Sequence, residues 1–278
     1  MAFPHEEIEI MDLQKAISFV KLNGNLIEKA RLSAVLYGQS PSTEVFSEIE
    51  KYQKPDGGFS YWCPQVSNIC DTAYILLWLD DLESHRSEIA DRACRFLLDR
   101  QLEDGGWDEV DEVGHYPVPE WMMPGRLETR TWLTGFCSHV LIRFGYAEAP
   151  GTRCPTDFLL SNCDATGRMM GYLRATWISL PMLAFHPGTQ SEPYDNAIAV
   201  VKDNYSSEWT GAHIAWLLRC LQDAHLLIDH PLVHRAIIDL ENVQKQDGSW
   251  EPEPGEGEMH AVNATLSALR ALRSFKRI

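Results

Sequence analysis

Carboxylates are the residues of this chain best placed to do chemistry. Asp71 and Glu128 each open an apolar stretch, and Asp108, Glu109, Asp111 and Glu112 crowd one short segment after Trp107. A carboxyl kept neutral in an apolar space is a general acid, and clustered carboxylates can hold Mg²⁺ against a diphosphate. Each also has a structural reading. Asp71 and Glu128 stand where a helix N-terminus favours a carboxylate, and an acidic loop is ordinarily solvated. His260 with Glu258 is either an acid-base pair or a helix cap.

Aromatic residues form the second group. Tyr74, Trp78, Trp132, Trp177, Trp209 and Trp216 recur in apolar segments far apart in sequence, with Arg174 and His213 among them. Gathered around one space, such faces accept an apolar chain and stabilise a developing carbocation. Gathered without a space, they are simply core. Arg126, Arg130, Arg168 and Arg174 are the cations that a diphosphate head group would require. Between them and the acidic run lies Tyr116 to Pro124, an apolar, proline-rich loop that reads as a lid over such a space or as a mouth touching a membrane surface.

An internal repeat supplies the elements that must position these groups. Gln53 to Phe59, Gln101 to Trp107 and Gln244 to Trp250 share the pattern Gln-x-x-Asp-Gly-x-aromatic, and Cys163 to Met169 is a worn copy. Repeats of this period are stacked supersecondary units that cannot bury their apolar faces alone. Before one copy, Ile89, Ala93, Phe96 and Leu97 fall on one helical face, and before another Val233, Ala236, Ile237, Leu240 and Val243 do the same. Each Asp-Gly reads as the stop of that helix, the glycine supplying a positive φ. After each turn comes a segment apolar all round, such as Asp71 to Leu79, Arg174 to Leu180 or His260 to Leu269. That is the pattern of an inner helix.

With an opening pair at Leu13 to Leu22 and Leu26 to Tyr37, the chain contains five or six helical hairpins. Both ends stay apolar, from Ile8 to Val20 and from Val262 to Leu272, where an open array would need polar caps. The expected fold is therefore all-α, a single α/α toroid over residues 1–278, with the inner helices parallel and their N-termini at one functional rim.

The stretch from Arg92 to Trp107, with Phe96, Leu97, Gln101, Gly105 and Trp107 in register, resembles the QW motif of squalene and oxidosqualene cyclases. The copies ending at Phe59 and Trp250 are similar in their Gln, Gly and aromatic positions. The chain as a whole looks like a single-domain member of the terpene cyclase and protein prenyltransferase β-subunit superfamily. That resemblance implies an α/α toroid holding an isoprenoid in its central cavity. It also implies an acid at the middle Asp of an Asp-x-Asp-Asp-Thr-Ala motif, where this chain reads Asn68 to Ala73 and places Cys70 at the donor position. A thiol of pKa about 8.5 is too weak an acid for that step. The resemblance to prenyltransferases implies a zinc site, of which only His260 is kept, since the other ligand positions read Thr210, Gly211 and Ala212. No resident metal is expected, and Mg²⁺ enters only with a diphosphate substrate.

Composition excludes other classes. Against 24 Lys and Arg stand 40 Asp and Glu, a net charge of −16, which argues against binding a phosphate backbone and so against nucleic acid. The N-terminus carries Glu6, Glu7 and Glu9 and no basic entry into an apolar stretch, so it does not read as a secretory signal. Apolar runs such as Tyr74 to Leu79 fall far short of the roughly 20 residues a membrane span needs. Seven cysteines without CxxC spacing suggest a reducing, cytoplasmic setting. Two functions follow: a cyclase-like enzyme with a carboxyl acid other than the usual one, or a noncatalytic toroid that binds an isoprenoid or a partner protein.

Overall fold

Thirteen α-helices follow one another in the computed structural model, which describes residues 11–149 and 153–278. The acidic N-terminal residues and Ile8 lie outside the described residues. In chain order the helices are α1 (Leu13–Asn23), α2 (Leu26–Tyr37), α3 (Thr43–Glu50), α4 (Ile69–Asp81), α5 (Glu88–Leu98), α6 (Leu127–Arg143) and α7 (Pro155–Ser161). They continue as α8 (Leu173–Ile178), α9 (Leu180–Leu183), α10 (Glu192–Asn204), α11 (Gly211–Asp223), α12 (Pro231–Asn242) and α13 (Ala261–Ser274). The short α9 continues α8 past a break at Ser179, where Pro181 removes a backbone donor. Outer and inner helices thus alternate in six pairs.

Burial separates the two kinds. In α5 the buried residues Ile89, Ala90, Ala93, Cys94, Phe96 and Leu97 form one stripe, and Ser87 caps the first turn by accepting from the Ala90 N–H. In α4 every residue but Tyr74 is buried, so no face is left for water. Inner helices pack around the ring in sequence, α2 on α4, α4 on α6, α6 on α8, α8 and α9 on α11, α11 on α13, and α13 back on α2. The toroid closes on itself.

The repeated motif is the joint between pairs. Gln53 Nε2 donates to the carbonyls of Gly57 in its own turn and Ile89 in the next outer helix, both at 2.9 Å. Gln101 bonds Gly105 and Arg153 in the same way, and Gln244 bonds Gly248 and Asp12. Through Gln244 the last repeat therefore holds the start of α1. The aromatic residue that ends each motif, with Met169 in the worn copy, donates its backbone N–H to an inner-helix threonine: Phe59 to Thr72, Trp107 to Thr134, Met169 to Thr176 and Trp250 to Thr265.

One sequence expectation needs correcting. The glycines of the motif do have positive φ, 91° at Gly57, 88° at Gly105, 89° at Gly167 and 89° at Gly248. They do not stop the outer helices, which end several residues earlier, at Glu50, Leu98, Ser161 and Asn242. They close tight turns instead, and they lie so near the next outer helix that an added Cβ would come within 2.4 to 2.7 Å of it. Close approach as well as backbone conformation therefore demands glycine there.

Candidate functional site

A cavity of about 360 Å³ lies inside the ring of inner helices. Tyr74 and Trp78 of α4, Trp132 of α6 and Trp216 of α11 supply its walls, joined by Trp62 and by Trp121 of the proline-rich loop. The rings meet edge to face, as Tyr74 does with Trp62 at 4.5 Å and with Trp216 at 6.3 Å. Of the residues expected to bind a ligand, Tyr74, Trp78, Trp132, Trp216 and Arg174 line this space. Trp177 is fully buried behind it, with its ring 5.8 Å from that of Trp216. Trp209 precedes α11 with its ring tilted against that of His213, 5.4 Å between centroids, and neither is a lining residue.

The inner-helix N-termini form the rim, and here the expected acids are found. Asp71 is fully buried but does not line the cavity. Its Oδ2 accepts from the backbone of Tyr61, Trp62 and Cys63 and from the side chain of Asn68, pinning the loop before α4. Burial raises its pKa in spite of these donors. Asp108 accepts from Gly125 and Glu109 and so ties together the two ends of the loop between them, and burial raises it also. Asp111 is exposed at the start of a single 3₁₀ turn, and Glu128 pairs loosely with Arg126 at 3.7 Å. His260 alone of the proposed catalytic residues lines the cavity.

The acidic run hides a residue that sequence reasoning did not single out. Glu109 is 4% exposed and accepts from the backbone N–H of Ile69 at 2.7 Å and of Cys70 at 3.0 Å, capping α4 from another repeat. Burial pushes its pKa up to about 7, against the pull of those N–H groups. Cys70, which lines the cavity, has its thiol pushed well above the ordinary range by burial. The available signal was proximity: Glu109 lies two residues after the motif's aromatic Trp107, which is buried.

Two loops narrow the mouth. Pro119, Trp121 and Met122 come from one, and Glu253, Gly255, Glu256 and Gly257 come from the other. Glu253 anchors the second loop by accepting from Arg174 and from His213 Nδ1 at 2.8 Å. Burial alone would raise Glu253, but the His213 hydrogen bond and the Arg174 charge hold it below the usual range. Glu256 lacks such partners and is raised by burial, with His260 opposing. Arg126 and Arg130 do not reach the cavity, and Arg130 is held by Asp104 at 2.6 Å.

At the opposite end, the foot, Asp80, Asp81 and Asp223 meet Arg31, Arg143, Arg219 and Arg270. Burial would raise Asp80, yet Arg219, His85, Arg143 and Arg270 together hold it well below the usual carboxylate range. Arg31 and Arg219 also line the cavity. None of these residues was expected to matter. Their signal was charge inside otherwise apolar inner helices, which burial permits only with partners.

Among the described residues no three His, Cys, Asp or Glu side chains gather as a metal cage, and no helix is long and apolar enough to cross a membrane.

No family model matches the chain. A stretch of 67 residues is 40% identical to lanosterol synthase erg7A of Aspergillus fumigatus, covering 22% of this chain and only 8% of that protein. Solved structures extend the likeness in fold over 95% of the chain. The type II terpene cyclase MstE from Scytonema matches with a TM-score of 0.64 and 16% identity, covering 95% of this chain and 97% of that one. A protein from Actinoplanes matches at 0.63 and 17%, with 95% and 98% covered. A variant of MstE in complex with its substrate, geranylgeranyl dihydroxybenzoate, matches at 0.62 and 15%, with 95% and 96% covered. The chain has the fold of the type II terpene cyclases.

Proposed function

We propose that this chain is a terpene cyclase-like protein that draws an isoprenoid chain, or an apolar ligand of similar shape, into the central cavity and protonates it from a carboxyl at the rim. The observation that carries this reading is the aromatic-walled cavity of about 360 Å³, a volume within the range of small-molecule sites. The fold supports it as well, since MstE has been captured with a geranylgeranyl substrate. The proton would come from Glu109, which is not itself a wall residue but lies directly behind Cys70, which is. Its carboxyl, pushed up to about 7, stays partly neutral near pH 7 and sits on the N–H of Cys70, the residue at the usual donor position. The O–H bond breaks as a new C–H bond forms on the ligand alkene, and the cation left behind faces the rings of Trp132 and Trp216. Loss of a proton from carbon back to a carboxylate completes the cycle.

A second reading is favoured by Cys70 itself. If the loss of the usual acid is the loss of catalysis, the toroid binds its ligand without changing it. Incubation of the purified protein with farnesyl, geranylgeranyl and squalene compounds, followed by mass spectrometry of the products, separates the two. The enzyme reading expects turnover that falls about 100-fold or more in Glu109→Gln and persists in Glu128→Gln and Asp71→Asn. Turnover lost in Glu256→Gln and kept in Glu109→Gln would move the acid to the mouth. Tight binding with no product leaves the noncatalytic toroid.

A further inference from the structure

Resting on the reading of the cavity as a site for an apolar chain, we infer that the ligand keeps an uncharged, hydroxyl-bearing head group at the mouth and that Glu256 selects it over a prenyl diphosphate. Glu256 lines the cavity from the loop between α12 and α13 and is exposed at its opening. With the head there, the chain runs down past Cys70 toward Leu77 and Trp78, about two turns of α4 below.

A diphosphate needs cations, and those of the cavity wall are already engaged. At the foot, Arg31 is held by Asp81 and Asn263, and Arg219 by Asp80 and Asp81. At the mouth, Arg174 donates to Glu253, which also meets His213 Nδ1 at 2.8 Å. To be bound by any of these guanidiniums, a diphosphate would have to break an existing ion pair and leave the displaced carboxylate in the same space.

The mouth offers an acceptor instead. With Glu253 matched by Arg174, Glu256 is the carboxylate left over: among the described residues it enters no ion pair, and its Oε2 accepts the Glu253 backbone N–H at 3.3 Å, a long bond. The loop keeps it at the opening, because Ala212 N–H donates to the Glu251 carbonyl at 3.1 Å while Arg174 and His213 hold Glu253. A carboxylate so placed attracts a neutral O–H donor and repels an anion, and the low-dielectric wall around it weakens screening. The net charge of −16 acts the same way on an approaching polyanion.

Equilibrium binding of farnesol, farnesyl methyl ether and farnesyl diphosphate, each with and without Mg²⁺, tests this on the intact protein by tryptophan quenching or calorimetry. The alcohol should bind at least about tenfold more tightly than the diphosphate in both conditions, and at least about threefold more tightly than the ether, which has the same chain and no donor. Glu256→Gln should narrow the gap to the diphosphate to less than about threefold, since the amide still accepts a hydroxyl but carries no charge. Glu256→Leu should also bring alcohol and ether level. Residue 256 is exposed, so neither substitution threatens the fold. A diphosphate that binds as tightly as the alcohol, an ether equal to the alcohol, or gaps that both variants leave unchanged would overturn the inference while the cavity reading stands. Binding of none of the three removes both.

Discussion

Carboxylates are buried at both ends of the barrel, in opposite company. At the rim, Asp71 Oδ2 and both oxygens of Glu109 accept from backbone N–H groups and the Asn68 amide, Asp71 Oδ1 is left without a donor, and burial raises the pKa of each residue. At the foot, Asp80 and Asp223 face guanidiniums, and burial is outweighed in both. Backbone N–H groups carry only partial charges, which hold a carboxylate in place without cancelling its desolvation, whereas a full cation does both. Depth is therefore not what sets acid strength here. The rim is the end that can hold a proton near neutral pH, and the foot is the end that stays ionised.

The largest expected effect contrasts one acid from each end. Asp80→Asn leaves Arg219, Arg143 and Arg270 without their shared carboxylate and should cost about 3–5 kcal/mol, read as a drop in the urea midpoint at constant slope. Asp71→Asn keeps one acceptor oxygen on the same loop and should cost about 1–2 kcal/mol. Equal losses would erase the distinction between the two ends.

How much of this was legible follows from the range of each interaction. The repeat, the inner and outer helices and the closed ring depend on local periodicity and on a motif whose Gln, Gly and aromatic residues act within a few positions, so they could be read directly. Trp78, Trp132 and Trp216 were placed correctly on the cavity because inner helices are apolar all round and any large ring on them tends to face either the centre or a neighbour. Trp177 and Trp209 were not: Trp177 packs against Trp216 and His213 behind the wall, and Trp209 precedes the Thr210 cap of α11. The foot was invisible for another reason. Asp80 and Arg219 are partners 139 residues apart in sequence, and nothing local distinguishes a buried ion pair from an isolated charge. Glu109 was masked by its acidic neighbours, since its burial is imposed by the distant start of α4.

The next effect sharpens the contrast through pH. Because the pKa of Glu109 is raised from 4.5 to about 7 in the folded chain, the native state binds more protons than the unfolded one across that interval. Stability due to this residue should therefore fall as pH rises from about 4.5 to about 7, by up to roughly 3 kcal/mol, and level off above. The depressed Asp80 and Asp223 act in the other direction, their contribution being present at neutral pH and lost as pH falls below the usual carboxylate range. Urea titrations from pH 4 to 8 on Glu109→Gln should lack the neutral-range slope and retain the acidic one. A slope that survives the substitution would assign it to another group and remove Glu109 as the proton donor of the rim.

The smallest effect tests whether the rim joints are as neutral as they look. Gln244 bonds the backbone of Asp12 and the carbonyl of Gly248 without involving any charge, and Gln101 does the same for Arg153 and Gly105. Gln244→Leu should cost about 1–2 kcal/mol at the seam where the ring closes, with no dependence on pH between 5 and 8. Gln101→Leu, inside the chain of repeats, should cost the same within about half a kcal/mol, because a closed ring has no terminal repeat to fray. If the seam variant loses far less, with early amide exchange confined to α1 and α13, then the joint between first and last repeats opens before the rest. The cavity would then owe its enclosure to the internal joints and to the Arg31 contacts with Asp81 and Asn263 at the foot.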